Sequence, residues 1–177
     1  MDIVGVTSFL ITNQAQTFHW AGYGLKLHTP QGSLPTGLEE CRLYIKVGLS
    51  GEFEFPKDTS LVSAVYWIDS KPRRRFSKPI RMELQHCSKS NQSSKLSIVH
   101  AKCSQETLPY TFTPMEEGEF KLSSYGSIRL SHFSLIAVTA NEPQYCAGLY
   151  YIIGRGCTSC KVCFVITKNL EAYKTVS

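Results

Sequence analysis

The sequence lacks a hydrophobic run long enough to cross a membrane. Its longest apolar run covers residues 61–68 and is interrupted by Ser63, whereas a helix needs roughly 20 apolar residues to span a bilayer. We also expect no export signal, because Asp2 stands where a secretory leader carries positive charge and no clean cleavage site follows. These absences predict a globular cytoplasmic protein without a membrane span.

The sequence is equally short of the motifs that conventional enzymes carry. It contains no Gly-x-Ser-x-Gly nucleophile elbow and no glycine-rich loop that would cradle phosphate. Internal repeats and low-complexity tracts are missing as well. A conventional turnover enzyme is therefore disfavoured.

Cysteine occurs seven times, an odd number that suits reduced cytosolic thiols better than a disulfide framework. The spacing of Cys157, Cys160 and Cys163 could hold zinc or an iron–sulfur cluster, with Cys146 as a fourth ligand. Cys163, however, lies within the alternation of a strand, whereas metal knuckles prefer turns. We therefore expect no metal and no cofactor, and a Cys-rich metal-binding module is the third alternative for the function.

The net charge of +5 comes largely from one basic cluster. Its members are Lys71, Arg73, Arg74 and Arg75, followed by Lys78 and Arg81. The cluster lacks the interleaved aromatic residues of a nucleic-acid platform, so no nucleic acid is expected as a partner. The simplest interpretation is a solvated turn beside Pro72, and the alternative is an anionic partner bound at Arg73, Arg74 and Arg75.

Apolar residues recur with a period of two almost everywhere, which is typical of strands with one buried face. Residues 41–49 and 80–84 alternate cleanly and predict two strands. Residues 61–68 are apolar on both parities, so they form either a central strand or a buried helix turn, and their β-branched and aromatic side chains favour the strand. Short strands separated by Pro-Gly turns predict an all-β antiparallel sandwich.

Three weaker features complete this interpretation. Residues 88–95 are polar and rich in serine, and predict a loop between two strands. Residues 140–146 interrupt the strand pattern and predict a domain boundary. Apolar alternation then resumes, and residues 162–166 predict a further strand.

Two stretches, in this order, resemble the ZU-five domain, the module shared by zonula occludens scaffolds, uncoordinated-type netrin receptors and ankyrins. In residues 24–35 a strand enters a Pro-x-Gly turn that leads to Leu-Pro. In residues 76–87 a Lys-Pro strand ends in His-Cys, with Gln85 where the family usually has proline. The resemblance covers about residues 19–139 and implies a ZU-five-like β-sandwich over residues 14–139.

Residues 161–172 resemble the opening of a UPA domain, the β-sandwich that commonly follows a ZU-five domain. This implies that residues 145–177 contain the beginning of an incomplete second sandwich, whose exposed strand edges a missing part would normally cover. Domains of this family occur in intracellular signalling scaffolds. The resemblance therefore implies protein partners, namely UPA-like or death-domain-type neighbours.

The tripeptide of His132, Phe133 and Ser134 resembles the self-cleavage site of PIDD-like ZU-five domains. In that chemistry the serine hydroxyl attacks the carbonyl of the preceding residue, and water hydrolyses the resulting ester. The resemblance implies that Ser134 is the nucleophile and Phe133 the acyl donor. A base must take the serine proton, and the imidazole of His132 is the natural candidate.

The residues around the tripeptide support two interpretations. Apolar positions are even at Ile128 and Leu130 but odd at Phe133 and Leu135, so the pattern slips by one residue. A β-bulge or kink would cause such a slip, and we expect His132 and Ser134 to share one face of that ribbon. The alternative is a regular strand with Phe133 in the core, in an uncut docking module. In some related domains the helper histidine lies upstream, where His86 and His100 are the candidates.

Overall fold

The computed structural model describes residues 1–88, 95–102, 108–120 and 124–141, together with the backbone of two strands further along, Cys146–Ile152 and Cys160–Ile166. The described residues contain strands, the short 3-10 turn Ala21–Tyr23 and no α-helix. In this part of the chain no helix has the length and apolar character that crossing a membrane requires.

The strands follow one another with short connections. They are β1 (Asp2–Thr12), β2 (Gln16–Trp20), β3 (Leu25–Thr29), β4 (Glu40–Ser50), β5 (Phe53–Glu54), β6 (Ser60–Leu61), β7 (Val65–Lys71), β8 (Ile80–Gln85), β9 (Leu96–Ala101), β10 (Tyr110–Thr111), β11 (Thr113–Pro114), β12 (Glu119–Phe120), β13 (Tyr125–Leu130), β14 (Leu135–Ala140), β15 (Cys146–Ile152) and β16 (Cys160–Ile166).

Two antiparallel sheets pack face to face, which confirms the predicted all-β sandwich. A seven-stranded sheet has the order β1-β4-β7-β14-β9-β11, with β6 also paired to β14. A five-stranded sheet has the order β12-β13-β8-β3-β2. The short strands β5 and β10 pair in parallel, and β15 and β16 form an antiparallel hairpin of their own.

The core between the sheets follows from the alternating residues. In β4 the buried positions include Leu43 and Ile45, and in β8 they include Met82 and Leu84, all with no solvent exposure. Each fully buried aliphatic side chain contributes about 1.5–3 kcal/mol of burial free energy. Both strands lie where alternation predicted them.

Residues 61–68 are two elements and not one. Leu61 ends β6, residues 62–64 form a connection, and β7 begins at Val65. β7 lies inside the sheet between β4 and β14, and its successive side chains, Val65 and Tyr66, are buried on opposite faces. The helix-turn alternative is therefore wrong, and the predicted central strand is right only from Val65 onward.

The outer face of the seven-stranded sheet carries a second apolar cluster. Val65, Val99 and Leu135 are buried there beneath aromatic side chains of the segments around β5 and β10. The rings of Phe55 and Phe112 approach to 4.8 Å between centroids. Strand β14 is consequently buried along its whole length, because each of its faces has an apolar cover.

The Pro-Gly turns form as their sequence predicts. Gly32 has φ +77° and Gly37 has φ +82°, a left-handed backbone that residues with a Cβ rarely adopt. At the second turn the amide of Leu38 donates to the carbonyl of Pro35 at 3.1 Å.

The predicted loop at residues 88–95 and the predicted boundary at residues 140–146 fall mostly outside the described residues. The strand predicted at residues 162–166 is present within β16. At the other end, β1 pairs with β4 from Asp2 to Thr12, so the seven-stranded sheet begins before residue 14.

Candidate functional site

Residues 131–134 connect the two sheets. Strand β13 ends at Leu130 in the five-stranded sheet, and β14 begins at Leu135 in the seven-stranded sheet. The expectation that His132 and Ser134 share one face of a strand is therefore wrong, as is the regular-strand alternative. The apolar parity slips because the chain turns a corner between layers, and not because a β-bulge interrupts one ribbon.

The corner is held by the backbone on both sides of the Phe133–Ser134 bond. The amide of Phe76 donates to the carbonyl of Ser131 at 2.9 Å, and the amide of Ile68 donates to the carbonyl of Ser134 at 3.1 Å. The Phe133 ring is half-buried and packs edge-on against Phe76, with 5.4 Å between centroids. These contacts anchor the chain on both sides of the peptide bond between Phe133 and Ser134.

Ser134 and His132 lie at different depths. Ser134 is only 6% exposed, and its hydroxyl donates to the carbonyl of Leu135 at 3.3 Å. The side chain of His132 is exposed at the surface. Both residues nevertheless line one open cleft of about 510 Å³, together with Phe133 and His100.

The two upstream histidines have different positions. His100 lies on β9, opposite Ile136 of β14, and lines the same cleft as Ser134. His86 is buried just after β8, with its ring 5.8 Å from that of Phe120, and does not line the cleft. The fold therefore brings His100, His132, Phe133 and Ser134 together and leaves His86 apart.

The environment of His100 favours its neutral form. Partial burial lowers the pKa of the imidazole below its ordinary value of 6.5, and the nearby charges of His132 and Lys102 lower it further. At pH 7 the ring is consequently deprotonated and can accept a proton. Among the cleft residues this makes His100 well suited to act as a base.

The basic cluster borders the same cleft. Arg73, Arg74 and Arg75 line it, and sequence reasoning did not connect them with Ser134. Arg73 donates to both carboxylate oxygens of Asp69 at 3.0 Å, and this pairing lowers the pKa of Asp69. Lys102 also lines the cleft, and no sequence signal had singled it out.

The structure places no metal site among the described residues. Cys157 lies outside them, and the side chains of Cys146, Cys160 and Cys163 are not described, so the structure does not test the alternative of a cysteine-bound metal. Cys41 is a free thiol whose pKa is raised by burial, and the thiol of Cys87 donates to the carbonyl of Val62 at 3.2 Å. Both side chains pack with the core between the sheets.

Comparison with known proteins yields neither a matching family model nor a matching curated protein.

Proposed function

We propose that the chain is a ZU-five-like interaction domain of a cytoplasmic signalling scaffold, and that it cuts its own backbone once, between Phe133 and Ser134. The observation that carries the proposal is the placement of a buried serine hydroxyl and two imidazoles around one cleft, at a corner whose flanking carbonyls are fixed. The resemblance of the tripeptide to self-cleaving domains supplies the reaction type.

The reaction begins with the transfer of the Ser134 hydroxyl proton to an imidazole. The Oγ atom attacks the carbonyl carbon of Phe133, and the carbon–nitrogen bond to Ser134 breaks. The nitrogen takes up the proton from the imidazolium and becomes a free amine. Water then adds to the ester carbon, which releases the Phe133 carboxylate and restores the Ser134 hydroxyl.

Of the two imidazoles, we assign the role of base to His100. It is half-buried on a strand and neutral at pH 7, whereas His132 is exposed on the connection itself. In this assignment His132 is a positioning residue that lines the same cleft and influences the pKa of His100. The side chain of Ser134 must rotate away from the Leu135 carbonyl before it can attack.

The fold explains how the two fragments would stay together. The cut would fall just before β14, and β14 is hydrogen-bonded to β6, β7 and β9, which all belong to the first fragment. Its side chains are buried on both faces. Separation would expose this central strand, so the cut protein keeps the sandwich intact and can still bind partners such as UPA-like or death-domain-type neighbours.

A denaturing gel and intact-mass measurement of purified full-length chain test the proposal. Self-cleavage gives two fragments that end at Phe133 and begin at Ser134, and they co-elute on native size exclusion. The Ser134→Ala variant gives one band, while the matched control Ser131→Ala, three residues earlier on the same connection, is still cut. A single uncut band from wild-type protein after prolonged incubation would leave the alternative, a non-cleaving docking module.

A further inference from the structure

The cleft beside Ser134 is strongly electropositive. Arg73, Arg74, Arg75 and Lys102 contribute fixed positive charge, and His100 and His132 add imidazoles. These groups come from three separate parts of the chain: the segment after β7, the end of β9 and the connection between the sheets. Only the tertiary fold brings them to one concavity.

Little negative charge offsets these cations. Asp69 is the one acidic residue that lines the cleft among the described residues, and it is already paired with Arg73 through two hydrogen bonds of 3.0 Å. Within the same part of the chain, no ion pair is found for Arg74, Arg75 or Lys102. Among the residues that the structure describes, these three side chains therefore carry the uncompensated charge of the cleft.

The size of the cleft indicates the kind of anion that fits. Its volume of about 510 Å³ lies within the roughly 300–1,000 Å³ typical of small-molecule sites. One wall carries the half-buried ring of Phe133, which offers an apolar surface beside the cations. Guanidinium groups bind phosphate oxygens through two parallel hydrogen bonds, and the lysine ammonium adds a point charge.

We propose that this cleft binds a phosphorylated small molecule, with Arg74, Arg75 and Lys102 contacting its phosphate groups and Phe133 contacting its apolar body. The proposal does not depend on self-cleavage, because it concerns binding alone. A concave site with an aromatic wall favours a soluble ligand over a membrane surface, which would be met by a flat array of cations.

Calorimetric titration of the full chain with pyrophosphate at low ionic strength tests the proposal. The wild-type chain is expected to bind at one site, more weakly as salt is added. The triple variant Arg74→Gln, Arg75→Gln, Lys102→Gln is expected to bind at least about tenfold more weakly, since it loses three charge-assisted contacts. Vesicles of phosphatidylcholine with phosphatidylserine are titrated in parallel as the lipid source of phosphate.

A matched control removes the same charge from elsewhere. Lys57, Lys78 and Arg129 are exposed and do not line this cleft, so their replacement by Gln is expected to leave pyrophosphate affinity unchanged. Equal loss in both triple variants would show attraction to net charge only and overturn the proposal. Binding to the vesicles without binding to pyrophosphate would overturn it too, as would no binding to either.

The imidazole resonances of wild-type protein provide a second measurement that needs no variant. Pyrophosphate is expected to shift the signals of His100 and His132, which line the cleft, and not that of His19 on β2. Shifts confined to His19, or equal shifts of all three, would contradict binding at this site.

Discussion

In strand β4 the alternating apolar pattern matches the burial of the side chains, whereas at the connection of residues 131–134 it does not. In β4 every second side chain from Cys41 to Val47 is buried between the sheets, so local alternation and tertiary position agree. At the connection the chain leaves one sheet and enters the other, and alternation has no meaning there. Regular pairing stabilises the first region, and in the second region the interruption of pairing places His132, Phe133 and Ser134 at a cleft.

The largest expected effect is on the rate of self-cleavage at the connection. His100→Ala should slow self-cleavage by about 10²–10⁴-fold, the usual contribution of a positioned acid or base. His132→Ala should slow it less, because that imidazole is exposed and acts through His100. Cleavage is followed on gels after the precursor, isolated in urea, is refolded by dilution. A larger effect for His132 than for His100 would contradict this assignment and indicate that His132 is the base.

The next effect is expected in β4, on stability. Ile45→Ala should lower the free energy of unfolding by about 2–5 kcal/mol, because it leaves a cavity in a fully buried layer. The exposed His132→Ala should change it by less than about 0.5 kcal/mol. Urea unfolding monitored by circular dichroism measures both. Comparable losses of unfolding free energy in the two variants would contradict the difference between β4 and the connection.

The pH dependence of cleavage sharpens the assignment of the base. The pKa of His100 is lowered, so its reactive neutral form is lost only as pH falls below 6.5. The rate should therefore be level from pH 7 to pH 8 and decrease by about tenfold per pH unit once the pH lies below the pKa of His100. A rate that continues to rise through pH 8 would point to a group other than an imidazole.

The smallest effect is expected from the ion pair between Arg73 and Asp69, which lines the cleft. Arg73→Ala should lower the free energy of unfolding by about 0–1 kcal/mol, because this guanidinium is exposed and solvent screens its ion pair with Asp69. Arg73 lowers the pKa of Asp69, so the contribution is present at neutral pH and is lost as pH falls through the folded-state pKa. Wild type and variant should therefore converge in stability at acid pH, as urea unfolding at a series of pH values would show.

Period-two alternation was sufficient to predict β4, β8 and the class of the fold, since the burial of one face of a strand repeats along the sequence itself. It was insufficient at residues 61–68, where apolar residues occur on both parities and only Ser63 marks the connection at residues 62–64. It also predicted a ribbon through residues 131–134, because a slip in parity is the same for a bulge and for a change of sheet.

The candidate site, like the fold, was predictable from the sequence only in part. The tripeptide at residues 132–134 and the basic cluster were visible in the sequence, because each is a run of neighbouring residues. The choice of His100 over His86, and the position of Lys102 and the arginines around Ser134, were decided by strand order. β9 pairs with β14, whereas β8 lies in the other sheet, and this pairing joins residues far apart in the chain. Side-chain chemistry is a property of each residue, but proximity depends on packing of the whole sandwich.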